Sequence, residues 1–246
     1  MNAWLFDLGN TRLKCARLAG HGESPAVLVL PHEAQAPALP DDVHGGIALV
    51  SSVAPEAARV ALLQRLSERF RRVHLARTLP ECAGLQIAYP VPARLGVDRF
   101  LSLLAIVDEC RDTLLVGVGT ALTVDLLRAD GLHLGGRIAP SPTLMREVLA
   151  SRSSALPVTG GRYVEFADDT IDALASGCDG AALALVERSL AIAGERLGSA
   201  PRLLVHGGGA GALLPLLDRN ELPATEARAD LVLAGLAHWA RWAGIA

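Results

Sequence analysis

The sequence contains few cysteines, and they lie far apart. Its four cysteines are Cys15, Cys82, Cys110 and Cys178, with no C-x-x-C pair and no histidine pair near any of them. This distribution argues against a disulfide framework and against a structural zinc site. We therefore expect buried thiols that only fill space, in a protein of the reducing cytoplasm.

Blocks of positive charge and long apolar runs are also missing. Lys and Arg number 23 against 26 Asp and Glu, for a net charge of −3, and no Lys/Arg block occurs. This balance disfavours nucleic acid and anionic membrane as partners. No stretch approaches the roughly 18 uncharged residues of a membrane span. An acid already stands at Asp7, so we expect no processed leader either.

Three common catalytic motifs are absent. The chain has no Walker lysine motif and no complete G-x-G-x-x-G, which removes the two commonest nucleotide-binding folds. It also lacks the G-x-S-x-G elbow of esterases. A nucleotide site in this chain must therefore be built from other loops.

The chain does carry enough apolar sequence, 51% of 246 residues, for a sizeable core. Its pattern is mixed α/β: strand-like runs fill the first 53 residues, and helical spacing begins near Pro55. The segment "DRFLSLLAIVDEC" predicts an amphipathic helix, followed by three more strands. A long helix is predicted from about Thr170 to Leu197, then the strand "RLLVH" and a closing helix through "LVLAGLAHWARWAG".

Two segments about 110 residues apart share one pattern. "LFDLGNTRLK" and "LVGVGTALTV" each read as strand, glycine, small polar turn and second strand. Such hairpins are common, so a chance match stays open, but each segment opens its half of the chain. A duplication predicts two similar α/β domains, residues 1–112 and 113–246, with a site between them.

The first of these loops predicts a phosphate site. Gly9 allows close backbone approach, Asn10 and Thr11 can donate to phosphate oxygens, and Lys14 adds positive charge. A carboxylate beside phosphates is repulsive unless a divalent cation stands between them. Asp7 therefore implies Mg²⁺, held through water. The alternative is an ordinary turn in which Asp7 caps backbone donors.

The second loop offers Gly117, Gly119, Thr120 and Thr123 for the other end of a polyphosphate, with no acid at the place of Asp7. The cluster Gly207 to Gly209 suits the close approach of a nucleobase or ribose. A strand-to-helix packing turn is the alternative for that cluster, and His206 before it is expected only to pack.

The segment "LGVDRF" places Asp98 and Arg99 just before a predicted helix. One hypothesis makes Asp98 the acceptor of a proton from an attacking hydroxyl, with Arg99 neutralising charge near the transferred phosphoryl group. The other makes Asp98 a helix cap.

These motifs together resemble those of the type III pantothenate kinases, over nearly the whole chain. Asp7–Lys14 is similar to the family's first phosphate loop, Gly96–Arg99 to its substrate and base motif, and Gly119–Asp125 to its second phosphate loop. The segment "GGRIAPS" is similar to the next family segment. Family members belong to the actin-like, sugar-kinase and heat-shock-ATPase superfamily.

The resemblance implies an α/β fold of two duplicated ribonuclease-H-like, actin-like ATPase domains with a cleft between them. It implies ATP-dependent phosphorylation of pantothenate to 4'-phosphopantothenate, the first step of coenzyme A biosynthesis. ATP and Mg²⁺ would be required, and a homodimer would share its active sites. Two alternatives stay open: a non-catalytic nucleotide-binding regulator of the same fold, and a sugar or acetate kinase.

The resemblance also assigns residues. The implied ATP and phosphate contacts are Asp7, Leu8, Gly9, Asn10, Thr11, Arg12, Leu13, Lys14, Thr120, Gly207 and Gly208. The implied substrate contacts are Tyr89, Gly96, Val97, Asp98, Arg99 and Thr170, with Asp98 as the base and Thr170 serving the neighbouring subunit. Without the resemblance, Tyr89 would be a packing residue beside prolines and Thr170 a helix N-cap.

Two positions depart from the family pattern. Many members have an aspartate that binds K⁺ or NH₄⁺ where this chain has Gly117, which puts activation by a monovalent cation in doubt. Ser141 stands where the family has a glycine, which predicts a differently shaped loop. Trp239 and Trp242, three residues apart, are expected in the core or a dimer contact.

Overall fold

The computed structural model describes residues 2–20, 26–31, 38–218 and 225–245. The chain forms two compact units. Unit 1 comprises Met1–Glu109 together with Asp230–Ala246, and unit 2 comprises Cys110–Ala229. The predicted boundary after residue 112 lies close to the first division. The prediction was wrong for the last residues, since the closing helix packs into unit 1.

The described residues form a mixed α/β chain in which groups of strands are followed by helices. The strands are β1 (Ala3–Leu8), β2 (Arg12–Arg17), β3 (Leu28–Pro31), β4 (Gly45–Ser52), β5 (Phe70–Leu75), β6 (Glu81–Cys82), β7 (Leu85–Gln86), β8 (Thr113–Val118), β9 (Ala121–Leu127), β10 (His133–Pro140), β11 (Arg202–His206) and β12 (Thr225–Ala227). The α-helices are α1 (Glu56–Arg69), α2 (Val97–Leu104), α3 (Pro142–Arg152), α4 (Thr170–Leu197), α5 (Ala210–Leu217) and α6 (Leu231–Trp242).

Unit 1 is built on a five-stranded sheet of order β3-β2-β1-β4-β5. Strand β1 is antiparallel to β2 and parallel to β4, and β4 is parallel to β5. Apolar residues along β1 and β4 are buried, and α1 adds Leu62 and Leu66 to the same core. Helix α6 crosses α2 so closely that a Cβ on Gly235 would lie 1.8 Å from the Leu101 carbonyl oxygen.

Unit 2 repeats this architecture with a sheet of order β10-β9-β8-β11-β12. Strand β8 is antiparallel to β9 and parallel to β11, and β11 is parallel to β12. Helix α4 has the predicted bounds because Asp169 caps its first turn and Gly198, at φ 76°, ends it. When the five sheet strands of each unit are numbered in chain order, both sheets have the order 3-2-1-4-5. This agrees with the predicted duplication of a ribonuclease-H-like domain.

The register of the two hairpins tests the alignment of the repeats. Adding 110 to the bounds of β1 gives those of β8. Leu8 pairs with Leu13, five residues later, whereas Val118 pairs with Leu122, four residues later. The second turn is therefore one residue shorter, and the predicted match is shifted by one residue in the second strand.

Several local predictions need correction. The helix predicted through residue 110 ends at Leu104, because the chain tightens into a 3₁₀ turn at Val107–Glu109. Cys110, expected in the core, is exposed, while the other three cysteines are buried free thiols. Among the described residues, no helix has the length and apolar character needed to span a membrane.

Candidate functional site

Asp7 lies near the end of β1 in the centre of the first sheet. The residue opposite it on β2 is Lys14, and the residue opposite it on β4 is Ser51. The strand before Asp7 is buried and its own side chain is half-buried. The carboxylate therefore stands at the edge of the unit 1 core, where the parallel strands β1 and β4 end. Such strand ends are the usual ligand sites of α/β sheets.

The environment of Asp7 raises the pKa of its carboxyl group from 3.8 to about 7. Loss of hydration is the largest cause, and the nearby negative charge of Asp98 is the second. Lys14 and the Ser51 hydroxyl lower the pKa, but they only partly offset these effects. Asp7 is therefore poised to exchange its proton for a cation near neutral pH.

Two serines at the end of β4 were not assigned a role from the sequence: Ser51, the register partner of Asp7, and Ser52, the partner of Leu8. Ser51 Oγ and Ser52 Oγ are buried and make no hydrogen bond of normal geometry within the described residues, although Ser51 is near enough to Asp7 to affect its pKa. A buried hydroxyl without a partner costs free energy, so it marks a place where a ligand or water can bind. The available signal was their position at the end of the buried strand β4, next to the parallel strand that carries Asp7.

Asp98 lies in the first turn of α2, where Gly96 is the N-cap residue. Its Oδ1 accepts a hydrogen bond from the Arg99 backbone N–H at 2.8 Å. A Cβ on Gly96 would lie 2.5 Å from that same oxygen, so a side chain there would displace the Asp98 carboxylate. The cap alternative is thus partly right, because Asp98 satisfies a first-turn amide without occupying the N-cap position. The same placement holds its charge close enough to Asp7 to raise the pKa of Asp7.

The structure brings the predicted substrate residues Tyr89 and Arg99 together. Arg99 is only 6% exposed, and its Nη1 donates to the Tyr89 hydroxyl at 3.3 Å. The guanidinium carbon also lies 5.9 Å from the centre of the Tyr89 ring. Tyr89 therefore helps to orient the buried Arg99 guanidinium next to Asp98. A residue that only packed beside prolines would not make these contacts.

Lys14 is held by a residue that sequence reasoning missed. Its Nζ lies 2.6 Å from Oδ1 of Asp230, and both side chains are partly exposed. Asp230 precedes α6 and has left-handed backbone angles of φ 56° and ψ 30°. An acid directly before an apolar helix is an ordinary N-cap signal, so no local pattern links it to Lys14.

The first loop closes through its own backbone. Gly9 N–H donates to the Arg12 carbonyl at 3.0 Å, and Asn10 and Thr11 are exposed at the tip. The Gly9 N–H is therefore used within the turn itself in this conformation. Leu8 and Leu13 are fully buried in the core, so their side chains face away from any ligand. Only their backbone can contribute to the site.

The second loop has a matching form in unit 2. Gly119 N–H donates to the Ala121 carbonyl at 2.9 Å, and Thr120 is exposed beside it. Ser141, the departure from the family's glycine, is the N-cap of α3, where its Oγ accepts from Leu144 N–H. The serine therefore starts a helix at an unstrained backbone, with φ −69°.

The glycine cluster packs against the end of β8. A Cβ on Gly207, where φ is 101°, would lie 2.4 Å from the Val118 carbonyl oxygen. Gly209 N–H donates to that oxygen at 2.9 Å. The packing-turn alternative thus accounts for Gly207 and Gly209, while Gly208 is exposed next to the second loop.

Gly117 occupies the place in unit 2 that corresponds to Asp7. A Cβ there would lie 2.6 Å from Thr123 Oγ1 and 3.0 Å from His206 Nε2. His206, the last residue of β11, packs here, and its imidazole fills space that a side chain at 117 would need. An acid at this position would require the side chains of Thr123 and His206 to move.

Of four other residues singled out from the sequence, Trp239 lies in the core as predicted, whereas the N-cap alternative for Thr170 is wrong. Asp125, at the end of the second motif, is buried and lies 2.9 Å from Nε2 of buried His133, so it stabilises the hairpin. Thr170 is exposed as the first residue of α4, and Asp169 is the actual N-cap. Trp239 is 9% exposed in unit 1, whereas Trp242 is half exposed.

Comparison with known proteins agrees with the family resemblance of the sequence motifs. The family model for type III pantothenate kinase matches residues 4–191. A type III pantothenate kinase of Stenotrophomonas maltophilia (strain K279a) is 54% identical over 250 residues, covering 98% of each chain.

Two solved structures share the fold. A Sinorhizobium meliloti protein described as a candidate 2-dehydro-3-deoxygalactonokinase has a TM-score of 0.61 at 14% identity, with 97% and 98% of the chains covered. Ta0583, an archaeal actin homolog, has a TM-score of 0.50 at 10% identity over the full length of both chains. The fold is therefore that of actin-like ATPases and sugar kinases, and the chain belongs to the type III pantothenate kinase family.

Proposed function

We propose that the chain transfers the γ-phosphoryl group of ATP to the terminal hydroxyl of pantothenate. The product is 4'-phosphopantothenate, and the reaction opens coenzyme A biosynthesis in the cytoplasm. The observation that carries the proposal is the proximity of two carboxylates, Asp7 and Asp98, beside the buried Arg99. Family membership supports the choice of pantothenate as the acceptor.

In this proposal Asp98 is the proton acceptor. Its carboxylate is fixed at the start of α2 by the hydrogen bond from the Arg99 amide, which positions it to receive a proton. Arg99 lies next to it and supplies positive charge that the Tyr89 hydroxyl helps to aim. A fixed base and a fixed cation suit phosphoryl transfer, in which positioning and charge neutralisation dominate.

The residues around Asp7 fit Mg²⁺. They offer oxygen atoms, the donors that this hard cation prefers: one carboxylate and the buried hydroxyl of Ser51. No group of three or more metal-binding side chains occurs in the described part of the chain. Mg²⁺ usually keeps several waters and binds through one or two carboxylates plus substrate phosphates. Bound there, the ion would neutralise phosphate charge, with Asp7 as its protein anchor.

Unit 2 is proposed to hold the nucleotide through Thr120, Gly207 and Gly208. Thr120 and Gly208 are exposed on adjacent loops of that unit, and backbone N–H groups in such turns suit phosphate and ribose oxygens. We also propose that no K⁺ or NH₄⁺ binds at position 117. The support for this is that Thr123 and His206 already fill the space beside Gly117.

A homodimer is proposed to complete the pantothenate pocket, with Thr170 serving the partner subunit. Within the described residues, seven of the eleven exposed large apolar side chains lie between Ile138 and Ile171. A cavity of about 450 Å³ between α3 and α4 adds apolar surface there. Exposed apolar surface of this kind is typical of subunit contacts. Leu149→Asp should give monomers in light scattering, whereas Val60→Asp, at a similarly exposed valine of α1, should not.

An ADP-release assay tests the kinase proposal. ATP and Mg²⁺ are supplied with pantothenate, with a panel of sugars, with acetate or with no acceptor, each with and without K⁺. We expect ADP release that depends on pantothenate and not on K⁺. Release with sugars or acetate would identify another kinase of the superfamily. Release without any acceptor, or none at all, would remove the kinase assignment.

A further inference from the structure

Lys14 and Asp7 are placed to pair, yet they do not. They are direct register partners on the antiparallel strands β2 and β1. Residues opposite each other in such a ladder project on the same face with Cβ atoms roughly 5 Å apart, and opposite charges there normally attract. Within the described residues, however, the ion pair that Lys14 makes is with Asp230, at 2.6 Å.

Asp230 has two features that point to this contact as its purpose. Its backbone is left-handed, at φ 56°, although it carries a side chain. This conformation is uncommon for residues with a side chain, although aspartate and asparagine adopt it more readily than most. Asp230 is also the N-cap of α6, yet its side chain accepts no capping hydrogen bond. The carboxylate is directed to Lys14 in place of the ordinary capping role.

The pairing leaves Asp7 without a cationic partner in contact among the described residues. Its carboxylate is half-buried, lies beside the buried Ser51 hydroxyl, and is repelled by Asp98 and, more weakly, by Asp230. If Lys14 paired with Asp7, the ammonium would occupy the carboxylate and compete with any other cation.

We propose that Asp230 is a positioning residue that draws Lys14 away from Asp7 and so keeps the Asp7 carboxylate available to the metal ion of the nucleotide. The inference rests on the proposed function, because it concerns the same phosphate site. The proposal thus assigns a residue directly before α6 to the phosphate site of unit 1.

Asp230→Asn tests the proposal, since asparagine has the same shape and tolerates left-handed angles but cannot hold the ammonium as a carboxylate does. The measurement is the Mg²⁺ concentration that gives half-maximal binding of a fluorescent ATP analogue. We expect this concentration to rise by about tenfold, the scale of one hydrogen bond to a charged group. Asp130→Asn, which removes the partner of Arg128 in unit 2, should leave it unchanged.

The same substitution in a Lys14→Met background isolates the mechanism. With no ammonium to release, Asp230→Asn should then change the Mg²⁺ concentration by less than about twofold. An equal rise in both backgrounds, or no rise in either, would overturn the proposal. Asp230→Gly relieves the left-handed backbone and serves as a second variant if the asparagine form unfolds.

A crystal structure of ligand-free Asp230→Asn decides the inference separately from the function. Lys14 Nζ within hydrogen-bond distance of the Asp7 carboxylate would support it, and Lys14 turned elsewhere would refute it. Failure of the unaltered protein to bind nucleotide would instead refute the proposed function, while this structure would still report where Lys14 goes.

Discussion

Replacing Asp7 by asparagine should stabilise the ligand-free protein at neutral and alkaline pH. The folded pKa of Asp7, about 7, lies above its ordinary value of 3.8. The folded state therefore binds this proton more tightly than the unfolded state does. The stability that the proton contributes is complete below about pH 4 and is lost as the pH rises through 7. Ionised Asp7 thus works against folding.

The size of the effect follows from the two pKa values. Their difference, 7 − 3.8 = 3.2, corresponds to about 4 kcal/mol when ionisation is complete, at roughly 1.4 kcal/mol per unit. From the linkage between proton binding and folding, about 2.5 kcal/mol of this loss of stability occurs between pH 5 and pH 8. Because Asp7 is half-buried, water screens part of the interaction, and we expect roughly 1–2 kcal/mol in practice.

Urea unfolding of the ligand-free protein at a series of pH values measures this effect. The stability of Asp7→Asn relative to the unaltered protein should grow steadily from pH 5 to pH 8. Asp130→Asn is the matched control: Arg128 holds the pKa of Asp130 down to about 2, so this carboxylate stays ionised over the whole range. A difference for Asp7→Asn that stays flat or shrinks with pH would refute the argument from burial and charge.

Three further substitutions probe other parts of the account. Asp98→Asn should lower kcat roughly 10²–10⁴-fold while ATP affinity and melting temperature change little. An unchanged kcat in steady-state assays would mean that Asp98 only stabilises the start of α2. Gly207→Ala should lower the free energy of unfolding, measured in urea, by about 1–3 kcal/mol, because the added Cβ meets the Val118 carbonyl. Gly211→Ala, whose Cβ would lie in open space on α5, should not lower it. Tyr89→Phe should raise the KM for pantothenate several-fold and leave the KM for ATP unchanged; an equal change in both constants would contradict its role in orienting the neighbouring guanidinium.

The fold was predictable because local and periodic signals agree. Strand β1, the hairpin turn and β2 recur in the second half, and helix α4 carries its own cap and stop signals. The one-residue difference between the two turns has a weak signal in the sequence, because only the shifted alignment matches buried Leu13 with Leu122 and polar Lys14 with Thr123. The destination of α6 depended on packing, because the close approach of Gly235 to Leu101 belongs to the tertiary fold and leaves no local pattern.

The site was predictable where a motif concentrates polar residues in one short segment. Asp7 and Asp98 come from such segments, and their proximity within unit 1 agrees with a shared role. Ser51 and Asp230 carry no such signal. The first reads as the polar end of a buried strand, and the second as a helix cap 216 residues from the lysine it binds. Contacts of this range depend on the tertiary fold and are invisible to local patterns.

The central claim is tested most directly by mass spectrometry of pantothenate incubated with the purified protein, ATP and Mg²⁺. The account predicts that pantothenate gains one phosphoryl group, with one ADP formed for each product, and that Asp98→Asn slows this conversion by roughly a hundredfold or more. Pantothenate recovered unmodified from a folded, nucleotide-binding protein would contradict it.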